Sequence, residues 1–402
     1  MECQRRRLRG DALTTRVVSA LAASVLLAAV TTAAAQAAPS CFGDPATVVG
    51  TTRADELVGT PGNDVIVGKG GNDIIEGRGG DDRICAGPGD DTITGGDGFD
   101  FVNAGDGPDR SVSGGGGNDN IFGGGGDDSL RGGGGSDKLV GGAADDLLSG
   151  GAGTDYIRYD SASQGVAIDL RARAVTGGAG DDTLVAFEEI TDVEGAYGSG
   201  FADTFLGNAS TNFFIGNAGD DIFFASFGAD VVGGGAHESG DRLSFDRLNI
   251  RGGITVDMTD SSAIGADGSV ITTFAQIETV IGSPNDDRLS GDAQANVLAG
   301  GDGDDEIAAG PGRDEVYGGS GDDAIRAGAG TDAVWGMAGL DVIFGTSGND
   351  RLFGQTHADR LYGGDGDDLL RGGRGSDSLS GGGGSDRCRQ DSGSGPKTSC
   401  EN

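Results

Sequence analysis

Residues 70–96 read GGNDIIEGRGGDDRICAGPGDDTITGG. Asp73, Asp82 and Asp91 stand nine residues apart, and an apolar residue follows each by two places: Ile75, Ile84 and Ile93. A nine-residue period matches neither a helix face nor a heptad, and glycine at this density costs a helix about 1 kcal/mol per position relative to alanine. The D-x-U-x half of the unit, with U apolar, therefore predicts a very short strand that turns one aliphatic side chain inward. The G-G-x-G-x half predicts a tight turn made of residues that reach positive φ at little steric cost. Strand and turn in alternation wind into a solenoid in which two units complete a coil, and strands two units apart stack in parallel.

Outward from this stretch the spacing persists. A first array runs from Asp55 to Asp155, with one ten-residue step between Asp109 and Asp119. The apolar partners Val112, Ile121, Leu130, Leu139, Leu148 and Ile157 resume the spacing, so the extra residue falls between Arg110 and Val112. A shorter array passes through Asp203, Asn212, Asp221 and Asp230. A third runs without a slip from Asp287 through Asn296 to Asp386.

Glycine supplies 83 of the 402 residues and aromatics 5%, too little bulk for a conventional core. Acidic residues number 64 against 28 basic ones, a net charge of −36. Such a field excludes nucleic acid and anionic membranes as partners and favours a cation. One aliphatic side chain per unit does not offset about 1–2 kcal/mol of backbone entropy for every residue fixed, and stacking sets each Asp near the Asp two units away. A hard dication answers both deficits, since Ca2+ takes about 6–8 oxygens from carboxylates and backbone carbonyls. Composition alone would favour a disordered acidic chain, but disorder does not explain an aliphatic residue held two places after each Asp.

These residues resemble the hemolysin-type calcium-binding repeat, or RTX nonapeptide, family. The resemblance implies an all-β fold, a right-handed parallel β-roll with Ca2+ held between turns. It also implies a set of side-chain ligands: Asp64, Asp73, Asp82, Asp91, Asp100, Asp109, Asp119, Asp128, Asp137, Asp146 and Asp155 in the first array, and Asp221 and Asp230 in the second. In the third the set is Asp305, Asp314, Asp323, Asp332, Asp341, Asp350, Asp359, Asp368, Asp377 and Asp386. The sequence departs from the pattern at Asn212 and Asn296, which replace Asp, at Arg53, which replaces a glycine, and at Phe99-Asp100-Phe101, which adds bulk.

The expected organisation is a signal peptide over 1–37, an N-terminal cap over 38–53 and repeat arrays over 54–160, 201–240 and 285–388. Strand-rich interruptions occupy 161–200 and 241–284, and a C-terminal cap 389–402. The leader carries Arg5, Arg6, Arg7 and Arg9, an apolar run from Val17 to Val30 and Ala35-Gln36-Ala37 ahead of Ala38. That pattern predicts export with cleavage near Ala37/Ala38, by a Sec or twin-arginine route, and no membrane span follows it. Export permits disulfides among the four remaining cysteines, Cys41, Cys85, Cys388 and Cys400. Three pairings are open; Cys41–Cys85 and Cys388–Cys400 are favoured because each closes a short loop at one end of the repeats.

The interruptions resemble each other. Each alternates apolar residues (Val166, Ile168, Leu170 against Ile254, Val256, Met258) and ends in a Phe-containing segment, LVAFEEITDVEG or ITTFAQIETVIG. They read as half-buried strands forming wider coils. The motifs of hydrolysis are missing: there is no H-E-x-x-H and no G-x-S-x-G, and His237 and His357, the only histidines, lack partners at metal-ligand spacing in the sequence. Paired carboxylates such as Asp90-Asp91 and Asp127-Asp128 are explained by repeat position. Trp335, Phe205, Phe213, Phe214, Phe223 and Phe224 read as core or stacking residues. The expectation is a secreted, non-enzymatic calcium-binding β-roll. The alternatives are an extracellular adhesive or matrix component with an unidentified cell-surface partner, and a hydrolase of unrecognised type in the interruptions.

Overall fold

A computed structural model describes residues 38–177, 182–184, 193–237, 239–392 and 395–401. The expected leader over 1–37 lies outside the described residues, as does most of the segment LVAFEEITDVEG. Among the described residues there is no helix, and short strands alternate with turns from end to end. The chain is a parallel β-solenoid whose coils each give one strand to each of two sheets.

The inward residue predicted for each unit sits in register with its counterpart one coil away. One file runs Leu57, Ile75, Ile93, Val112, Leu130 and Leu148. The other runs Ile66, Ile84, Val102, Ile121, Leu139 and Ile157. All are buried. The ten-residue step is absorbed at Arg110: Asp109 still meets Asp91, whereas Ser111 already pairs with Thr92. Within a strand such as Ile74–Gly79, side chains alternate out and in, as pleating requires, and the second inward position is a glycine, Gly77.

Both interruptions are the same device on opposite sheets. After Leu147–Gly153 the ladder continues through Asp182–Leu184, which pairs antiparallel with Ala174–Gly177, which pairs antiparallel with Val166–Asp169; that strand then runs parallel to Thr204–Leu206. On the other sheet Asp230–Ala236 continues through Val270–Ala275, Ser262–Gly265 and Ile254–Asp257 to Arg288–Ser290. Each inserts an antiparallel meander without interrupting the stack, and the core thickens nearby. Phe205, Phe223 and Phe245 are fully buried, and the rings of Phe205 and Phe223 stack at 4.8 Å.

The favoured disulfides are the ones formed, Cys41–Cys85 and Cys388–Cys400. The first ties the hairpin of Ser40–Cys41 and Asp44–Pro45 to strand Arg83–Cys85. The second closes the segment whose strand Lys397–Thr398 pairs with Leu379 and Ser380.

Candidate metal centre

Each repeat Asp ends a turn and opens a strand, so its backbone and its carboxylate both face the neighbouring coil. The N–H of Asp82 donates to Oδ1 of Asp100 at 2.9 Å, and the carbonyl of Asp82 accepts from the N–H of Phe101 at 2.9 Å. The same bond links Asp64 to Asp82, Asp91 to Asp109, Asp305 to Asp323 and Asp350 to Asp368, at 2.7–3.0 Å. One oxygen of each of these accepting carboxylates is thereby spent on coil-to-coil cohesion.

The other oxygen has no such use. For the repeat Asp residues from Asp73 to Asp137, for Asp221, and for those from Asp305 to Asp386, Oδ2 is buried and without a hydrogen-bond partner. A buried polar atom left so is costly. Backbone oxygen lies close by: a Cβ on Gly95 would stand 2.3 Å from Asp100 Oδ2 and 2.6 Å from the carbonyl oxygen of Gly114. Side-chain and main-chain oxygens from successive coils therefore converge where the inward glycine leaves room. An all-oxygen, anionic, water-poor donor set suits a hard dication.

A second class of turn resolves the same oxygen internally. At Asp64, Oδ2 accepts from the N–H and hydroxyl of Thr60 at 2.5 and 2.9 Å. Asp55 is served by Thr51, Asp203 and Asp287 by the N–H groups of Ser199 and Ser283, and Asp230 by the Ser226 hydroxyl. In these closed turns a Ser or Thr four residues ahead keeps ordinary backbone angles. In the open turns that position has positive φ, as at Gly96 (+127°), Gly142 (+124°) and Gly151 (+112°), or even Lys69 (+85°) and Arg78 (+83°). Asn212 and Asn296 both occupy closed turns, their Oδ1 atoms accepting from the N–H groups of Asn208 and Asp292, so a neutral amide suffices there. Of the predicted ligands, Asp64 and Asp230 fall in the closed class, whereas Asp146 and Asp155 lie in open turns.

Burial raises the carboxyls of both classes, Asp203, Asp230 and Asp287 included. Burial, reinforced by the Asp one coil away, pushes the Asp305 carboxyl up to about 8 and those of Asp323, Asp350 and Asp359 to about 7. At Asp64, burial raises the value, but bonds from Thr60 and Thr47 outweigh it and the net shift is downward.

Three elements escaped the sequence reading. The residue before the repeat Asp forms its own exposed ladder in the opposite direction: Asp81 Oδ1 accepts from Phe99 N–H at 3.0 Å, and Asp304 Oδ1 from Asp322 N–H at 2.7 Å. Paired carboxylates such as Asp81-Asp82 thus bind different coils. At the inserts, where the next Asp is displaced, a glutamate takes its place: Glu278 Oε2 accepts from Asp241 N–H at 2.9 Å. Asp241 itself continues the ladder, accepting from Asp221 N–H at 2.8 Å, although its spacing hid it. Finally, His237, without partners at ligand spacing in the sequence, lies beside Asp241 and Glu278.

Most of the aromatic residues singled out in the sequence serve as core and stacking groups. Phe205, Phe214 and Phe223 are buried, Phe213 packs edge-on to Tyr156, and Trp335 stacks between Tyr317 and Phe353 on an outer face. His357 is exposed in a turn. No helix among the described residues is long and apolar enough to cross a membrane.

The family model for the RTX calcium-binding nonapeptide repeat matches residues 49–84, 86–110, 111–161, 175–186, 197–232 and 281–388. No curated protein matches the chain.

Proposed function

The chain belongs to the RTX calcium-binding nonapeptide repeat family, and we propose from this premise that calcium is the structural component completing its turns. The observation that carries the proposal is the file of buried, unpartnered Oδ2 atoms beside converging carbonyls. The ligands are assigned to the open turns, in which the repeat Asp residues present Oδ2 and the glycine-rich backbone presents carbonyl oxygen. The closed turns of Asp64 and Asp230 satisfy themselves. Bound Ca2+ supplies the positive charge that buried carboxylates one coil apart lack.

The proposed role is binding and structural rather than catalytic, a reading supported by the engagement of adjacent carboxylates such as Asp81-Asp82 in opposing ladders. Export is supported by the two disulfides, which belong to an oxidising compartment, and by the leader-like first 37 residues. The 38–53 and 389–402 segments act as caps on a stack whose ends would otherwise pair with other chains. A role as an extracellular adhesive component draws support from the half-exposed stack of Tyr317, Trp335 and Phe353.

Circular dichroism during a Ca2+ titration of the chelator-treated chain, with stoichiometry from calorimetry, tests the calcium assignment. The expected result near pH 8 is disorder without the ion, β signal with it and little rescue by Mg2+, which demands a small octahedral shell. The same sheet signal and melting with and without Ca2+ would refute it.

A further inference from the structure

The two inserts rejoin the stack through the same Asp–Glu contact, and one of them adds a histidine. At the first join Asp155 N–H donates to Glu194 Oε2, with Gly151 four residues ahead of the Asp. At the second, the step from Asp221 to Asp241 is 20 residues instead of 18, and His237 stands four residues ahead of Asp241. The longer turn brings His237 Nδ1 to 3.3 Å from Glu278 Oε2 and 3.6 Å from Asp241 Oδ2.

Asp241 Oδ2 is the independent sign of a ligand. The Asp241 side chain is 0% exposed, its Oδ1 is engaged by Asp221, and its Oδ2 has no hydrogen-bond partner. The carbonyl oxygen of Gln276 faces the same spot, since a Cβ on Gly234 would lie 2.0 Å from it and 2.2 Å from Asp241 Oδ2. The three side-chain ligand atoms lie within 4.8 Å of one another, the only such group with a histidine among the described residues.

We propose that His237, Asp241 and Glu278 form a separate site for one divalent transition-metal ion of the zinc class. Imidazole selects such ions over calcium, which prefers oxygen throughout. The two distances to His237 agree: metal–ligand bonds of about 2.0–2.2 Å place the corners of a tetrahedron about 3.3–3.6 Å apart. His237 is 31% exposed and gives the ion a way in.

The test is calorimetric titration of Zn2+ into the full chain, without a histidine tag, in saturating Ca2+, with Co2+ absorption as a second readout. One Zn2+ per chain is expected at this site, with Co2+ showing visible bands of a nitrogen-containing, low-coordinate site. His237→Gln should weaken that binding by more than about tenfold, since even outer partners of a metal are worth that much. Glu278→Gln keeps an oxygen for Asp241 N–H and should weaken zinc binding without altering the circular dichroism. His357→Gln, at the only other histidine, should bind as the parent does. Absence of Zn2+ binding, or binding by His237→Gln equal to the parent's, overturns the site. The zinc measurement is made at fixed Ca2+, so a chain that folds without calcium would refute the calcium assignment and leave this test standing.

Discussion

Glu194 accepts the backbone N–H of Asp155 at 2.7 Å across 39 residues of sequence, the position that the next repeat Asp would hold if no insert intervened. Removal of this carboxylate by Glu194→Ala strands a donor at the seam between the first array and its insert. The expected loss is about 1–3 kcal/mol, the usual cost of an orphaned buried polar group. Glu194→Gln, which keeps an acceptor oxygen, should lose less. Urea unfolding of the calcium-loaded variants measures both, and equal losses would mean that charge, not the hydrogen bond, closes the seam.

Thr346 holds φ at +88° in the third array, between Gly328 at +120° and Gly364 at +110° on the coils to either side. A β-branched residue there is strained. Thr346→Gly removes the strain and adds some unfolded-state entropy, for a net gain of about 1 kcal/mol. Thermal unfolding of the calcium-loaded protein should show a higher midpoint; a lower one would show that the Thr side chain contributes a contact outweighing its backbone.

Asp323 and Asp64 separate the two turn classes. Asp323→Asn preserves an oxygen to accept from Asp305 N–H but removes the charge on the unpartnered Oδ2. It should lower calcium stoichiometry and weaken the remaining sites nearby. Asp64→Asn resembles the arrangement already present at Asn212 and Asn296 and should leave the ion count unchanged. Calorimetry on the pair decides, and a lost ion in Asp64→Asn would abolish the distinction.

The metal-free chain should respond to pH opposite to ordinary acid denaturation. Burial and like-charge neighbours raise the folded carboxyls of Asp305 to about 8 and of Asp323, Asp350 and Asp359 to about 7, from 3.8. The folded state therefore binds more protons than the unfolded one over this interval. Its stability is fully present below the unfolded value and is lost as pH rises through the raised values. In chelator, β signal should be larger near pH 5 than near pH 8, whereas calcium affinity should fall on acidification because ligand carboxyls must release protons. A pH-independent apo signal would count against the buried-carboxylate account.

The periodicity alone determined a great deal: strand and turn in each nine-residue unit, the inward residues from Leu57 to Leu379, the two-unit coil and the file of stacked Asp residues. These follow from short-range sterics and side-chain alternation, repeated until only one winding keeps them in register. Tertiary structure decided which of those carboxylates remain open. Thr60 and Thr346 occupy the same place in their units, four residues before an Asp, yet Thr60 closes its turn while Thr346 is held at positive φ between open neighbours. Local sequence cannot separate them because the choice depends on the coils above and below. Glu194 and Glu278 were hidden for a related reason: in so acidic a chain any nearby carboxylate could meet the stranded N–H groups of Asp155 and Asp241. Only the path of each insert selects one.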